Sequence, residues 1–359
     1  MTTKGNTCGI AGAGIMGRLT GYLLAKKGWR VTLFDDGDLA ATGTTSYAAA
    51  GMIAPYCELE YAEPVVARLG NPSLVMWQAL LPQIGGDVYC QAAGSLVISH
   101  PQDRNELMRL VRKMDEHTGN LVMQRVEGAE LRDLEPDIDD AFMDGLYLPL
   151  EGQIDSRRLL VVLGEWLQKY ATLNLGVHVR SADDGRIDTA IGQFDFDMVL
   201  DTRGLKGKTQ MPTLRGVRGE LVWVHAPEVR LNRPVRMMHP RYPIYVVPRP
   251  GGKFLLGATA IDDEDLSPIS VRGALELLSA AYAMHSGFSE GRIIETMTQC
   301  RPAFPDNLPR IRHGGRLIRV NGLYRHGYLF SPKMAELVIN LIEGGKPDPA
   351  FAELYEGHS

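Results

Sequence analysis

Three glycines near the start of the chain have the spacing of a nucleotide-binding turn. Residues 9–17 read GIAGAGIMG, with Gly12, Gly14 and Gly17 in the order G-x-G-x-x-G. The first glycine of such a motif allows a tight turn, the second lets the backbone approach a pyrophosphate, and the third lets a helix pack closely on a strand. Asp35 lies about 20 residues beyond the third glycine, where an acid binds the ribose hydroxyls. These residues predict that the chain binds a dinucleotide.

The sequence on either side of the glycines predicts the elements that must hold them. Residues 8–11 are apolar, as in a buried strand, and residues 18–27 place apolar side chains at helical spacing. Gly28 stops that helix, and residues 29–34 read as a second strand that ends at Asp35. Because a carboxylate repels a 2′-phosphate, Asp35 disfavours NADP and leaves NAD and FAD as candidates.

Composition narrows the class of protein. A chain of 359 residues favours two domains, and 45% hydrophobic with 23% charged residues is typical of a globular protein. The net charge of −5 offers no basic surface for nucleic acid. No apolar run approaches the roughly 18 residues of a membrane span, and no signal peptide is evident, so we expect a cytoplasmic protein. The four cysteines form no C-x-x-C pair, so neither a metal nor a dithiol site is expected.

The rest of the chain alternates between predicted helices and strands. Helices are predicted at residues 71–82, 103–118, 156–170, 271–285 and 333–343. Strands are predicted at residues 94–99, 145–150, 197–201, 217–225, 243–248, 253–258 and 317–321. This order predicts a nucleotide domain built from separated pieces, with a sheet domain interleaved.

A segment rich in small residues decides between NAD and FAD. Residues 44–55 read TTSYAAAGMIAP, and the small residues at 48–51 would let the backbone lie against a large planar ligand. Residues 44–46 offer hydroxyls and amides to phosphates. An NAD-binding unit does not need this segment. It resembles the second flavin-contacting segment of the D-amino-acid oxidase family, and of its glycine oxidase branch in particular.

Further segments resemble the same family, in the same order along the chain. They are residues 151–159, 214–220, 244–249 with 256–259, 301–309 and 322–327. The sequence departs from the family pattern at residues 201–206, at Leu323 and His326, which are exchanged, and at Asp35, where glutamate is more frequent. The departures beside the flavin leave substrate choice and reactivity with oxygen open.

The resemblance implies the architecture of D-amino-acid oxidase, an α/β and α+β fold. A discontinuous Rossmann-type FAD-binding domain would comprise residues 1–85, 145–210 and 296–359, and an interleaved antiparallel-sheet substrate domain residues 86–144 and 211–295. The residues implied for binding a non-covalent FAD are Gly12, Ala13, Gly14, Ile15, Met16, Gly17, Asp35, Thr44, Thr45, Ser46, Ala49, Ala50, Gly51, Met52, Val179, Gly204, Arg325, His326, Gly327, Tyr328 and Leu329.

The resemblance also implies a site for an amino-acid substrate. Arg301 matches the family's carboxylate clamp, and a guanidinium can hold a carboxylate through two parallel hydrogen bonds. Tyr245 would be a second carboxylate contact, and Arg325 would line the flavin near the substrate amine. Met52 and His239 would be walls of the site.

Two further expectations concern charge at the site. Arg241 would add a second cation if it faces the pocket, which would suit a dicarboxylate amine such as iminodiacetate, and a solvated arginine is the alternative. The helix expected after Pro332 would point its positive end at the reduced flavin.

The implied chemistry is FAD-dependent oxidation of glycine or a small N-substituted glycine. A hydride would pass from Cα to flavin N5, giving an imine that hydrolyses to the α-keto acid, with O2 reduced to H2O2. The glycine imine would serve thiamine biosynthesis. Oxidation of iminodiacetate or sarcosine, oxidation of D-amino acids, and a flavin dehydrogenase with another acceptor remain alternatives, and a homo-oligomer stays open. An NAD-dependent dehydrogenase would leave residues 44–55 without a purpose, and a non-catalytic protein would leave Arg301 and Tyr245 without one.

Overall fold

The computed structural model describes residues 6–60, 63–118, 122–239 and 243–357. The strands, in chain order, are β1 Thr7–Ala11, β2 Arg30–Phe34, β3 Met52–Ile53, β4 Cys90–Gln91, β5 Ser95–Ser99, β6 Gln124–Glu127, β7 Asp144–Leu148, β8 Gly152–Ile154, β9 Thr172–Asn174, β10 Val179–Asp183, β11 Arg186–Thr189, β12 Gly192–Asp195, β13 Met198–Asp201, β14 Arg215–His225, β15 Val235–Met238, β16 Ile244–Arg249, β17 Lys253–Gly257, β18 Arg292–Ala303, β19 Arg310–Gly314, β20 Leu317–Asn321 and β21 Tyr355–Gly357.

The helices flank these strands. In chain order they are α1 Ile15–Lys26, α2 Thr45–Ala48, α3 Pro64–Gly70, α4 Ser73–Ile84, α5 Arg104–Thr118, α6 Ala129–Leu134, α7 Ser156–Tyr170, α8 Val271–Met284 and α9 Gly327–Ile342. Short 3₁₀ turns occur at Cys57–Glu60, Pro101–Asp103, Gly204–Gln210, Ser286–Glu290 and Pro349–Leu354.

A seven-stranded sheet carries the glycine motif. Its strand order is β21-β19-β20-β13-β1-β2-β9, and β1 runs parallel to both β13 and β2. β1 and β13 are almost wholly apolar and buried, as expected of central parallel strands that are covered on both faces. α1 packs on α7 and α9 beside this sheet. The motif therefore lies just beyond the carboxyl end of β1, where open α/β sheets bind their ligands.

An eight-stranded sheet forms the second unit of the fold, in the order β18-β14-β17-β16-β15-β5-β7-β6. Side chains alternate between its two faces, as the pleat of a strand requires. Val222 and Val246 pack in one apolar cluster with residues of α8, such as Leu277. Their strand neighbours Leu221 and Tyr245 turn to the other face, where they line a cavity.

The six predicted helices and the nine predicted strands are all present, with ends shifted by a few residues. The longest strand missed by the sequence analysis is β18, whose mixture of polar and apolar residues reflects its place at the edge of the sheet. The interleaved two-sheet architecture is as predicted. Residues 145–148 and 296–303, which we assigned to the FAD-binding domain, instead pair in the eight-stranded sheet. The remaining domain boundaries stay a prediction.

The start of α9 differs from the prediction. We expected a helix after Pro332, but α9 begins at Gly327, with Pro332 inside it. A proline within a helix removes one backbone donor, which here would have served the Tyr328 carbonyl. The indole Nε1 of buried Trp77 donates to that carbonyl at 2.9 Å instead. The helix therefore continues through the proline, and its first turn reaches the cavity.

No helix in the described ranges is long and apolar enough to cross a membrane.

Candidate active site

One cavity of about 530 Å³ joins the glycine motif to the eight-stranded sheet. Its walls include the turn after β1, the alanine-rich segment around α2, the cavity face of the large sheet and the first turn of α9. This volume lies within the range of cofactor and ligand sites. A single space therefore brings the predicted nucleotide end and the predicted substrate end together.

The glycine turn has the local geometry that the motif predicts. Gly12 has a φ of +99°, a region that residues with a Cβ rarely adopt, and a Cβ there would lie 2.8 Å from the Thr202 carbonyl oxygen. At Gly17 a Cβ would lie 1.9 Å from the Gly12 carbonyl oxygen, so the third glycine lets α1 pack against the turn. Gly14 lines the cavity. The cavity therefore reaches the N-terminal end of α1, a position at which helices commonly bind phosphate groups.

Asp35 closes the nucleotide end of the cavity. Its Oδ2 accepts a hydrogen bond from the Ala13 amide at 2.7 Å, and its Oδ1 accepts one from the Gly37 amide, also at 2.7 Å. A carboxylate has about four lone-pair positions, so acceptor capacity remains on both oxygens. The two amides therefore fix the orientation of the carboxylate at this end of the cavity.

The alanine-rich segment is held from behind by buried polar contacts. Arg249 donates to the Ala50 carbonyl at 2.5 Å and to the Ile154 carbonyl at 3.0 Å, and Ser156 Oγ donates to the Ala49 carbonyl at 2.6 Å. Gly51 has a φ of +66°, and a Cβ there would lie 2.0 Å from the Ile154 carbonyl oxygen. This backbone therefore forms a fixed wall with small side chains toward the cavity.

Arg301 lies at the opposite end of the cavity, on β18. Its Nη1 donates to the Thr259 carbonyl at 3.0 Å, and its side chain is almost entirely buried. Gly219 on the neighbouring strand makes room for it, because a Cβ at Gly219 would lie 2.3 Å from Arg301 Nη2. Within the part of the chain that the structure describes, Arg301 forms no ion pair with a carboxylate. Its charge is therefore directed at the cavity.

Residues on three adjacent strands lie side by side at the same end of the cavity as Arg301. Arg236 on β15 stands opposite Tyr245 on β16, and Tyr245 stands opposite Gly257 on β17. A Cβ at Gly257 would lie 2.6 Å from the Tyr245 ring, so the missing side chain leaves space for the phenol. Glu58, from the 3₁₀ turn after β3, lies 3.3 Å from Arg236 Nη1 and 3.4 Å from Arg325 Nη1.

Burial and charge set the protonation states at this end. Burial raises the pKa of Tyr245, which stays a phenol, and lowers the pKa of Arg301, with Arg325 nearby adding to that effect. Burial also lowers the pKa of His326 to about 4, so its imidazole is neutral at pH 7. Burial alone would raise the pKa of Glu58, but Arg325 and the other cations around it lower it to about 2. This end of the cavity is therefore cationic, as an anionic ligand requires.

Most of the residues predicted for the site line this cavity. They are Gly12, Gly14, Ile15, Met16, Asp35, Thr44, Thr45, Ser46, Ala49, Ala50, Gly51, Met52, Val179, Gly204, Tyr245, Arg301, Arg325, His326, Gly327, Tyr328 and Leu329. Arg241 lies outside the described residues. Whether each of these residues binds FAD or substrate stays a prediction.

Three predicted residues do not line the cavity. Ala13 acts behind it, through its amide to Asp35, and Gly17 serves the packing of α1. His239, which we predicted as a wall, follows β15. Alternation along that strand places Arg236 on the cavity face and Met237 on the α8 face, and His239 lies beyond the end of the strand.

The sequence analysis missed Glu58, Arg236 and Gly219. A charged residue in the apolar run Val235-Arg236-Met237-Met238 was the one available signal for Arg236. Glu58 belongs to no motif, and Gly219 is one of 39 glycines. Their roles depend on contacts between distant segments, which spacing does not report.

Comparison with known proteins decides the family. The family described as FAD dependent oxidoreductase (DAO) matches residues 8–341. The chain belongs to this family. FAD is therefore the cofactor of this oxidoreductase, as the alanine-rich segment indicated.

Its relatives include glycine oxidases. The oxidoreductase is 40% identical, over 94% of its own length and 98% of the other's, to a protein of Rhizobium etli named as the thiamine biosynthesis oxidoreductase ThiO. It is 27% identical to the glycine oxidase of Geobacillus kaustophilus, over 93% of its own length and 92% of the other's. The crystal structure of glycine oxidase from that organism superposes with a TM-score of 0.85, covering 98% of each chain. The fold and the resemblance to the D-amino-acid oxidase family are thus as predicted.

The residues present fit FAD. The turn at Gly12 and Gly14 has room for a pyrophosphate, Asp35 presents carboxylate oxygens for a ribose, and the wall at Gly51 has no side chain that would block a flat ring. A Cβ at either Gly12 or Gly51 would collide with backbone. These glycines therefore preserve a cradle that a bulkier residue would deform.

Proposed function

We propose that this oxidoreductase oxidises glycine or a small N-substituted glycine. The observation that carries the proposal is Arg301, a buried guanidinium with no carboxylate partner among the described residues, in the same cavity as the nucleotide turn. A buried cation is stable when a ligand supplies the opposite charge. The relatives named as glycine oxidase and ThiO support a small amino acid as that ligand.

The residues of the chain would bind and orient the substrate. Arg301 would hold the carboxylate through its guanidinium, and the Tyr245 hydroxyl would donate a further hydrogen bond to it. The three guanidinium groups of Arg236, Arg301 and Arg325 outnumber the Glu58 carboxylate, and this net positive charge would lower the pKa of a bound amine because it disfavours a further cation. A neutral amine keeps the lone pair that stabilises the developing imine.

Bound FAD would supply the acceptor for the hydride that leaves Cα. The first turn of α9, which begins at Gly327 and lines the cavity, would place the positive end of a 16-residue helix toward that acceptor. Buried apolar side chains such as Leu221 would exclude water from the reacting carbon.

We extend the proposal to the products and the setting of the reaction. Dioxygen would reoxidise the cofactor and be reduced to H2O2, and the imine would hydrolyse to the α-keto acid or pass to thiamine biosynthesis. A cytoplasmic location and a homo-oligomer are part of the same proposal.

The test is a peroxide assay of the FAD-loaded protein with glycine, sarcosine, iminodiacetate and D-alanine. We expect turnover of glycine or sarcosine, with kcat/KM reduced by roughly 100-fold in Arg301→Ala, because a charge-assisted bidentate pair contributes a few kcal/mol. If a dye acceptor is reduced but no peroxide forms, the electron acceptor in the proposal is a compound other than dioxygen. Failure of all four compounds to reduce the cofactor would refute the proposal.

A further inference from the structure

A carboxylate that is mostly buried, with 15% of its side chain exposed, occupies the cationic end of the cavity. Glu58 Oε1 lies 3.3 Å from Arg236 Nη1, and its Oε2 lies 3.4 Å from Arg325 Nη1. All three side chains line the cavity that also contains Arg301. Each oxygen of one carboxylate thus engages a different guanidinium, so Glu58 links β15, through Arg236, to the turn before α9, through Arg325.

The backbone around Glu58 is fixed by a second buried carboxylate. Glu151 Oε1 accepts hydrogen bonds from the amides of Tyr56 and Cys57, both at 2.8 Å. Ser95 Oγ donates to Glu151 Oε2. The turn that presents Glu58 is therefore anchored from behind, so Glu58 is held in place next to its arginines.

The arginines of the site consequently differ in what they offer a ligand. Arg236 and Arg325 already face the Glu58 carboxylate, whereas Arg301 forms no ion pair within the described ranges and bonds to a backbone carbonyl. A ligand carboxylate that approached Arg236 or Arg325 would come close to Glu58, and like charges repel at such distances. The negative charge of Glu58 persists at neutral pH, since its pKa is lowered to about 2.

We infer that Glu58 is a specificity-determining residue that restricts this site to amines with one carboxylate. Glu58 faces the Nη1 atoms of Arg236 and Arg325 that a second substrate carboxylate would otherwise approach, and it repels that carboxylate. Specificity of this kind comes from a repulsive element as much as from an attractive one. The inference rests on the proposed binding of a substrate carboxylate at Arg301, and it goes further by naming the substrate class.

The experiment uses two ethers, which have no amine and so cannot be oxidised to an imine. Methoxyacetate matches sarcosine in shape and has one carboxylate, and diglycolate matches iminodiacetate and has two. Their binding to the FAD-loaded protein is measured from the change in the flavin absorption spectrum, without turnover. The wild type, Glu58→Gln and Arg301→Met are compared. The matched control is Glu135→Gln, because Glu135 is also a buried carboxylate, paired with Arg233 at 2.8 Å, but lies outside the cavity.

In the wild type, methoxyacetate should bind at least as tightly as diglycolate. In Glu58→Gln, the affinity for diglycolate relative to that for methoxyacetate should rise by about tenfold or more, since the second carboxylate of diglycolate can then accept a hydrogen bond from a guanidinium. Glu135→Gln should leave this ratio of affinities unchanged. The wild-type measurement tests the inference even if Glu58→Gln does not fold. Diglycolate binding tenfold more tightly than methoxyacetate to the wild type, or an unchanged ratio in Glu58→Gln, would overturn it.

The outcomes separate this inference from the proposed function. Suppose that Arg301→Met abolishes methoxyacetate binding but that Glu58→Gln does not change the ratio of diglycolate to methoxyacetate affinity. That result would overturn the inference and leave the proposed function standing. If neither ether binds, or if binding does not depend on Arg301, both are overturned.

Discussion

Gly219→Ala is the substitution that isolates the role of Arg301 most cleanly. Gly219 lies in the middle of β14, and its φ is outside the left-handed region, so alanine is compatible with the backbone. The added Cβ would lie 2.3 Å from Arg301 Nη2, 2.4 Å from Cζ and 2.6 Å from Nη1. The collision is thus confined to the end of one flexible side chain, which must move.

The size of that movement follows from the geometry. Ordinary contact with a Cβ begins at 3.4 Å, so the guanidinium, whose Nη1 now contacts the Thr259 carbonyl at 3.0 Å, must shift by about 1 Å. A misplacement of about 1 Å in a substrate-positioning group costs roughly 100-fold in rate. We expect kcat/KM for glycine to fall by about that factor, or about 3 kcal/mol.

The assay compares steady-state kinetics, FAD content and thermal melting of Gly219→Ala with those of the wild type. Gly357→Ala is the matched control, because Gly357 is also in a strand, has no positive φ, and its added Cβ would meet no atom within 4 Å. Both variants should retain FAD and melt close to the wild type, and the control should retain activity. Activity of Gly219→Ala within about threefold of the wild type would show that the position of Arg301 does not govern substrate binding.

Three further predictions concern the cradle and the supporting core. Gly14→Val should yield a folded protein that purifies without FAD, measured by absorbance, because the side chain would enter the cavity; a fully loaded variant would contradict the placement of the pyrophosphate. Trp77→Phe should destabilise the protein by about 1–3 kcal/mol and weaken FAD binding, because the Tyr328 carbonyl loses its donor; an unchanged melting temperature and FAD affinity would contradict this. Burial raises the pKa of Glu151 from 4.5 to about 7, so its contribution to stability is full below pH 4.5 and is lost as the pH rises to 7. In Glu151→Gln the fall in the free energy of unfolding between about pH 5 and about pH 8, measured with urea, should be smaller than in the wild type by about 3 kcal/mol; an identical pH dependence in the variant and the wild type would contradict this prediction.

Local patterns in the sequence were sufficient to predict that the glycine motif and Asp35 lie together at one end of the cavity. The motif at Gly12 and the acid at Asp35 lie within one strand–helix–strand unit, so their spacing along the chain determines their spacing in space. The position of the alanine-rich segment could be predicted for a similar reason, since a run of small residues indicates a backbone that lies close to a neighbouring group, and here it lines the cavity. These features depend on short-range geometry.

The substrate end could be predicted only in part. Arg301 and Tyr245 were identified by resemblance, but the ion pairs of Glu58 join residues that are 178 and 267 positions apart. Gly219 matters only because β14 pairs with β18, a strand that the sequence did not reveal. The onset of α9 was misplaced because Pro332 is a helix breaker, and its compensation by Trp77 is a tertiary contact. Non-local contacts of this kind set the charge and shape of the cationic end of the cavity.

Anaerobic mixing of the FAD-loaded protein with glycine tests the central claim most directly. If Arg301 clamps an amino-acid carboxylate beside the cofactor, glycine or sarcosine should bleach the flavin absorbance at a rate that saturates with concentration. In Arg301→Ala the same bleaching should require far higher concentrations. A flavin that stays oxidised with both amino acids, or a variant that is reduced as readily as the wild type, would contradict the account.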